Sequence, residues 1–118
     1  MGMNFSHLRP LAAALALTGA ICVAGAGAHA QQSADVSISV KDHQFDPAEV
    51  HAPANKALSI AVKNLDKTVM EFESGALRVE KVIPAGGTGV VHVRPLPPGR
   101  YEFFDDFHRK TRGHLIVP

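Results

Sequence analysis

The sequence predicts an all-β protein, a Greek-key β-sandwich of about seven to eight strands. Strict alternation of apolar and polar residues over Asp35–Val40 and Leu58–Lys63 is typical of half-buried strands. Turn-forming residues recur at roughly ten-residue intervals between the apolar segments. No stretch after residue 30 shows the 3.6-residue period of an amphipathic helix. Short strands separated by turns at this spacing predict antiparallel pairing within a sandwich.

The predicted strands follow one another along the chain, and turn residues bound each of them. They cover Asp35–Val40, Ala48–His51, Leu58–Lys63, Val69–Glu73, Leu77–Ile83, Gly89–Val93, Arg100–Asp105 and His114–Val117. The intervening turns are built on Asp46-Pro47, Ala52-Pro53, Asn64-Leu65-Asp66, Ser74-Gly75, Ala85-Gly86-Gly87 and Leu96-Pro97-Pro98-Gly99. The last turn leads into Tyr101 and is typical of a tyrosine corner, in which the hydroxyl bonds the preceding main chain. A simple core aromatic is the alternative interpretation.

Residues 1–30 have the pattern of a secretory signal peptide. Arg9 is their only charged residue, an alanine-rich apolar stretch follows it, and small residues flank His29 at the predicted cleavage site. We therefore expect cleavage after Ala30, export to the periplasm, and one mature domain over residues 31–118 without a membrane anchor. Cys22, the only cysteine of the sequence, lies inside the predicted peptide.

Charge and cysteine content exclude several classes of function. The sequence has 12 Lys and Arg against 11 Asp and Glu, so removal of Arg9 with the peptide leaves a balanced domain. A balanced charge argues against nucleic acid or an anionic membrane as partner. A mature domain without cysteine has no disulfide framework, thiolate nucleophile, zinc–thiolate site, iron–sulfur cluster or copper–thiolate centre. Hydrolase motifs such as Gly-x-Ser-x-Gly and His-Glu-x-x-His are absent from the sequence.

Motifs spread over residues 35–118 resemble those of the cupredoxin family. They are Phe45-Asp46-Pro47, Met70-Glu71-Phe72, Gly99-x-Tyr101-x-Phe103-x-Asp105-x-x-His108 and Gly113-His114-Leu115-Ile116-Val117. The resemblance implies a cupredoxin-type sandwich with a metal site at one end. Blue-copper members have a cysteine and a histidine where this chain has Asp105 and His108, and a second histidine where it has Met70. Their axial methionine falls in the loop that here reads Arg109-Lys110-Thr111-Arg112, so a blue-copper centre is not expected.

Three segments are similar to a narrower group of exported cupredoxin-like proteins, those that accompany bacterial iron permeases. The segments are Met70-Glu71-Phe72-Glu73-Ser74, Leu77-Arg78-Val79-Glu80-Lys81 and Asp105-Asp106-Phe107-His108. This resemblance implies that the protein binds copper or iron and assists the oxidation of ferrous iron or its delivery. Its implied partners are an iron permease and a periplasmic iron-binding protein. Whether the protein is itself a component of a ferrous-iron oxidase is left open.

Asp105 and His108 are the first candidate metal ligands that the residues themselves suggest. Alternation from Tyr101 onward places Asp105 on the core-facing side of its strand, where an unpaired carboxylate is costly. It therefore needs a metal, a hydrogen-bond donor or a salt bridge to Arg100, Arg109 or Arg112. His108 follows in the predicted loop and is close enough to share a metal with it. A carboxylate with an imidazole favours Fe²⁺, Mn²⁺, Zn²⁺ or Cu²⁺.

Met70 alternates with Phe72 and is either a core residue or a soft ligand that favours copper. The remaining histidines lack metal-binding spacing, and they are expected to be structural or surface residues. These are His43, His51 and His92, while His114 stays a minor ligand candidate.

Carboxylates on the same segments complete the predicted site. Glu71 and Glu73 share one face of their strand and are either solvated or metal-binding, and Glu80 is placed to extend an acidic cluster with Glu73. Asp106 is expected to point outward and to form a surface patch with Glu102 that suits transient capture of Fe²⁺.

Three functions remain open from the sequence. The first is an iron- or copper-binding protein that works beside an iron permease. The second is a periplasmic copper carrier or chaperone, which requires Met70 and His108 as ligands. The third is a docking module that keeps the fold and has no metal site.

Overall fold

The structure is a computed structural model that describes residues 2, 3, 19 and 34–118. Apart from residues 2, 3 and 19, the predicted signal peptide lies outside the described residues, as do its cleavage site after Ala30 and Cys22. Every regular element of residues 34–118 is a β-strand. Within this part of the chain, no helix is long and apolar enough to cross a membrane.

The described residues form nine strands. They are β1 (Val36–Lys41), β2 (Gln44–Asp46), β3 (Glu49–His51), β4 (Leu58–Asn64), β5 (Met70–Ser74), β6 (Val79–Ile83), β7 (Thr88–Val93), β8 (Gly99–Asp105) and β9 (His108–Val117). One sheet has the order β2-β1-β4-β7, and the other has the order β3-β9-β8-β5-β6. The predicted all-β sandwich is confirmed.

Two strand pairs differ from the predicted antiparallel pattern. β1 pairs with β4 in parallel, and β3 pairs with β9 in parallel. The chain leaves the first sheet after β2, contributes β3 to the second sheet, and returns to the first sheet with β4. This crossover makes β4 run in the same direction as β1, which local alternation of residues does not reveal.

β2 is a strand that the sequence analysis missed. Lys41 pairs with Gln44, so Asp42 and His43 form a two-residue hairpin turn between β1 and β2. Both turn residues have positive φ, 51° and 55°. A turn of this kind is usually marked by Asn-Gly or Asp-Gly, and without glycine its sequence pattern is weak.

β9 is longer than predicted, and His108 does not lie in a loop. Asp105 pairs with His108 across a two-residue turn, and residues 109–112 continue the strand. The register between β8 and β9 shifts next to Asp105, so β9 carries extra residues beside the site. The prediction of a loop over residues 108–112 is therefore wrong, because the chain reverses within Asp106 and Phe107.

The core lies between the two sheets and centres on three phenylalanine rings. Phe45 and Phe103 have ring centroids 5.0 Å apart, and those of Phe72 and Phe103 are 5.1 Å apart. Tyr101 packs beside this core, and its hydroxyl donates to the main-chain oxygen of Pro97 at 2.6 Å. The predicted tyrosine corner is confirmed.

Candidate metal site

Asp105 is a buried carboxylate at the end of β8, with 1% of its surface exposed. Its Oδ1 accepts hydrogen bonds from the main-chain N–H groups of Glu71 and Phe107, each at 3.0 Å. Its Oδ2 lies 2.9 Å from Nδ1 of His108. The predictions that Asp105 faces inward and lies beside His108 are confirmed. Three donors meet the carboxylate, so its burial is compensated by hydrogen bonds.

His108 carries an imidazole at the start of β9, and its side chain is 33% exposed. Because Nδ1 faces the carboxylate of Asp105, we assign the ring proton to Nδ1 and leave Nε2 with a free lone pair. A carboxylate on one ring nitrogen is the usual device that orients a metal-binding histidine. Of the six ligands predicted from the sequence, His108 has the best geometry for the role.

His43 is a site residue that the sequence analysis assigned to a structural or surface role. Its ring stacks on that of His108, with centroids 4.0 Å apart and ring planes inclined by 30°. The contact joins the β1–β2 turn to the β8–β9 hairpin, which are far apart in sequence. Interpreting Asp42-His43 as a two-residue hairpin turn would have been the only sequence signal for this position.

Asp66 fastens the turn that carries His43. Its Oδ1 accepts a hydrogen bond from the main-chain N–H of Asp42 at 2.7 Å, and its Oδ2 accepts one from the N–H of His43 at 3.0 Å. Nδ1 of the His43 ring is 3.6 Å from the same Oδ2. The hydrogen bond from His43 is the largest cause that lowers the pKa of Asp66, and it acts against partial burial, which raises that pKa.

Replacing Asp66 by asparagine is expected to make the free energy of unfolding less dependent on pH in acidic solution. A carboxyl group whose pKa is lower in the folded state stabilises that state above its unfolded pKa, and this contribution is lost as pH falls through the folded pKa. The free energy of unfolding of Asp66→Asn should therefore fall less steeply than that of the wild type below about pH 4. Urea unfolding at several acidic pH values measures the slope.

Asp42→Asn is the matched control for this experiment, because it removes an exposed carboxylate from the same turn. Asparagine also tolerates the positive φ of this position. The control measures the effect of removing one exposed carboxylate from this turn. Equal slopes in all three proteins would contradict the assigned role of Asp66.

Three carboxylates form a second group on the outer face of the β5 strand, which we call the carboxylate triad: Glu71, Glu73 and Asp106. Each offers an oxygen atom, and these oxygen atoms all lie within 4.8 Å of one another. The main-chain N–H of Asp106 donates to the main-chain oxygen of Glu71 at 2.9 Å and holds the hairpin against β5. A hydrogen bond with Glu80 is the first cause that raises the pKa of Glu71, followed by desolvation and by nearby negative charge.

Arginines near the hairpin contact other acids and not Asp105. Arg109 Nη2 lies 2.8 Å from Oδ1 of Asp106, although the contact is not aligned as a hydrogen bond. Arg112 pairs with Glu102, and His114 lies 3.6 Å from the same carboxylate. Asp106 thus groups with Glu71 and Glu73, while Glu102, its predicted partner in a surface patch, pairs with Arg112.

Met70 lies in the hydrophobic core, with 2% of its surface exposed. Of the two interpretations made from the sequence, this placement fits the core residue. The predicted ligands thus fall into two adjacent groups. Asp105 and His108 form one, and the carboxylate triad forms the other.

The donor atoms of these groups define which metals fit. They are imidazole nitrogen and carboxylate oxygen, and the described residues contain no cysteine thiolate. Such donors suit Cu²⁺, Zn²⁺ or Fe²⁺ and do not form a copper–thiolate centre. A copper site with nitrogen and oxygen ligands fits the residues present.

Comparisons with known proteins agree with the topology. A family model described as a cupredoxin-like domain matches residues 11–117. An uncharacterized protein of Rickettsia prowazekii (strain Madrid E) is 39% identical over 84 residues, which cover 70% of this chain and 67% of that protein.

Among solved structures, the metal-binding domain of the Cu(I)-exporting P-type ATPase CopA of Streptococcus pneumoniae, determined with Cu(I), has a TM-score of 0.64. It is 17% identical, and the match covers 70% of this chain and 82% of that domain. A purple cupredoxin from Nitrosopumilus maritimus has a TM-score of 0.56 and 14% identity, over 71% of this chain and 100% of that one. At such identities the likeness concerns the fold alone.

Proposed function

Because the chain belongs to the cupredoxin-like domain family, we propose that it binds a metal ion in the periplasm, copper or ferrous iron, at the β8–β9 end of its sandwich. The observation that carries the proposal is the 2.9 Å contact between the buried carboxylate of Asp105 and Nδ1 of His108. This contact fixes the imidazole and leaves Nε2 for a metal. A buried carboxylate that is hydrogen-bonded to an imidazole is typical of sites in which the histidine binds a metal.

The residues of the site take different roles in this proposal. His108 binds the metal directly. Asp105 already accepts three hydrogen bonds, so the geometry supports an orienting role for it more than the direct ligand role expected from the sequence. The carboxylate triad is linked to Asp105 through the main-chain N–H of Glu71, and it supplies oxygen donors, which suit Fe²⁺.

Copper is the metal that the structural neighbours support, since one of them is described with Cu(I). Bound copper would supply a one-electron acceptor. Iron enters as substrate, and the oxygen donors of the carboxylate triad favour a role in assisting ferrous-iron oxidation or in delivering iron to a permease. An iron permease and a periplasmic iron-binding protein are the proposed partners, on the resemblance described above.

The copper-carrier hypothesis is supported less well. It requires Met70 and His108 as joint ligands, but the thioether of Met70 is packed in the core. A metal-free docking module is the outcome that remains if no metal binds.

Replacing His108 by alanine is expected to weaken Cu²⁺ binding at least tenfold, because the oriented imidazole is lost. Anaerobic calorimetric titration with Cu²⁺ and then Fe²⁺ measures both affinities. His92→Ala is the control, since His92 is an exposed histidine on β7 in the opposite sheet. The proposal fails if the wild type binds neither ion more tightly than in the millimolar range. It also fails if the His108 and His92 variants bind equally well.

A further inference from the structure

We propose that His43 and His108 form a two-histidine site for Cu²⁺, in which each ring binds the ion through Nε2. The inference rests on the metal-binding function proposed above and adds a ligand from a different part of the chain. In this inference the two imidazoles bind copper, and the carboxylate triad is not a copper ligand.

Both rings have a carboxylate near the same nitrogen. Nδ1 of His108 is hydrogen-bonded to Oδ2 of Asp105 at 2.9 Å, whereas Nδ1 of His43 lies 3.6 Å from Oδ2 of Asp66, beyond hydrogen-bond distance. A hydrogen-bonded carboxylate keeps the proton on Nδ1 and leaves the lone pair on Nε2, and the negative charge of Asp66 favours the same tautomer of His43. The two carboxylates come from separate strands and loops.

The spacing of the rings suits a shared ion. Two imidazoles that bind one metal at about 2.0–2.1 Å place their ligating nitrogens roughly 3.3 Å apart at a tetrahedral angle. The ring centroids here are 4.0 Å apart and the planes are inclined by 30°. The two imidazoles therefore lie side by side, at a separation close to that of two rings that share an ion.

The main chain of His43 is fixed on both sides. Its N–H donates to Asp66, and its carbonyl oxygen accepts a hydrogen bond of 2.6 Å from the hydroxyl of Thr111, a residue with 4% exposure. His43 itself has a φ of 55°, which is unfavourable for a residue other than glycine and is maintained here by these bonds. The position of the ring is thus built into the fold before any metal binds.

The two histidines line a surface hollow. Asp42, Gln44 and the β9 residues Arg109–Thr111 complete its lining. A metal bound there has room for water or a further ligand. Two imidazole ligands favour Cu²⁺ over Fe²⁺, because affinity for nitrogen donors rises along the divalent series to copper.

The test uses the purified protein loaded with one equivalent of Cu²⁺. Pulsed EPR detects the remote nitrogens of bound imidazoles, and its combination lines distinguish two rings from one. We expect two imidazoles in the wild type and one in His43→Asn, together with a tenfold to hundredfold loss of Cu²⁺ affinity. Asparagine is chosen because it tolerates positive φ, and His51→Asn, at an exposed histidine of β3, is the control.

A second measurement needs no variant. Long-range ¹H–¹⁵N spectra of the wild type, titrated with Zn²⁺ as a diamagnetic probe, should shift Nε2 of His43 and of His108 together and leave Nδ1 protonated in both. One bound imidazole, or a shift confined to His108, would overturn the inference while the proposed function stands. If neither His43→Asn nor His108→Ala changes Cu²⁺ binding, the inference and the proposed site both fail.

Discussion

Replacing Phe103 by alanine should lower the free energy of unfolding by about 3–5 kcal/mol, the cost of truncating a fully buried aromatic residue. Phe103 has 0% exposure and touches the rings of both Phe45 and Phe72. The ring also lies against Gly113, where any Cβ atom would overlap with it. Residues of both sheets pack around this ring, so they cannot fully close the cavity that the substitution would leave.

Phe104 provides a matched control on the same strand. Its ring points to the other face of the sheet and lies 5.1 Å beneath the guanidinium of Arg112. Phe104→Ala should therefore cost only about 1 kcal/mol, from the lost cation–π contact and partial exposure. Urea unfolding measures the free energy of unfolding of both variants. Equal m-values would show that the two denatured states are alike. Equal losses in both would contradict the described orientation of β8.

Local patterns predicted most strands of this fold. Alternation marked β1 and β4, and a proline-glycine turn marked the tyrosine corner at Tyr101. The short strand β2 was missed because its turn, Asp42-His43, has positive φ without glycine. The parallel pairs were missed because strand direction depends on which sheet the chain enters next, and alternation is the same in either case.

The sequence predicted those contacts of the site that join residues close together in the chain. Asp105 and His108 lie on one hairpin, so their contact follows from alternation and a short spacing. The stacking of His43 on His108 depends on how two loops meet at the end of the sandwich, and the sequence contains no local trace of it. Pairing between β5 and the hairpin likewise directs Asp106 toward Glu71, where alternation alone directed it to solvent.

Asp105 connects the two groups of the site. One oxygen holds the N–H of Glu71, which belongs to the carboxylate triad, and the other faces the imidazole of His108. Any change in this side chain therefore reaches both groups. A substitution that keeps an acceptor in place of Oδ1 and replaces Oδ2 separates the structural role of Asp105 from its role in orienting His108.

Asp105→Asn makes this separation, and we expect it to weaken Cu²⁺ binding about tenfold to hundredfold while the fold is kept. The main-chain N–H groups of Glu71 and Phe107 require an acceptor, so the amide oxygen takes the place of Oδ1. The amide NH₂ then faces Nδ1 of His108 and donates to it. The imidazole must place its own proton on Nε2, which removes the lone pair that would bind the metal.

Asp105→Ala should behave differently, because it leaves two partly buried main-chain N–H groups without their acceptor, at a cost of up to about 1–3 kcal/mol for each donor. Calorimetry with Cu²⁺ measures the affinity, and long-range ¹H–¹⁵N spectra report which nitrogen of His108 is protonated. Glu49→Gln, which removes an exposed charge on β3, is the control for the lost charge alone. Wild-type affinity in Asp105→Asn, with the proton moved to Nε2, would show that the metal does not bind through His108. Loss of affinity without a change of tautomer would instead make Asp105 a direct ligand, as the sequence analysis expected.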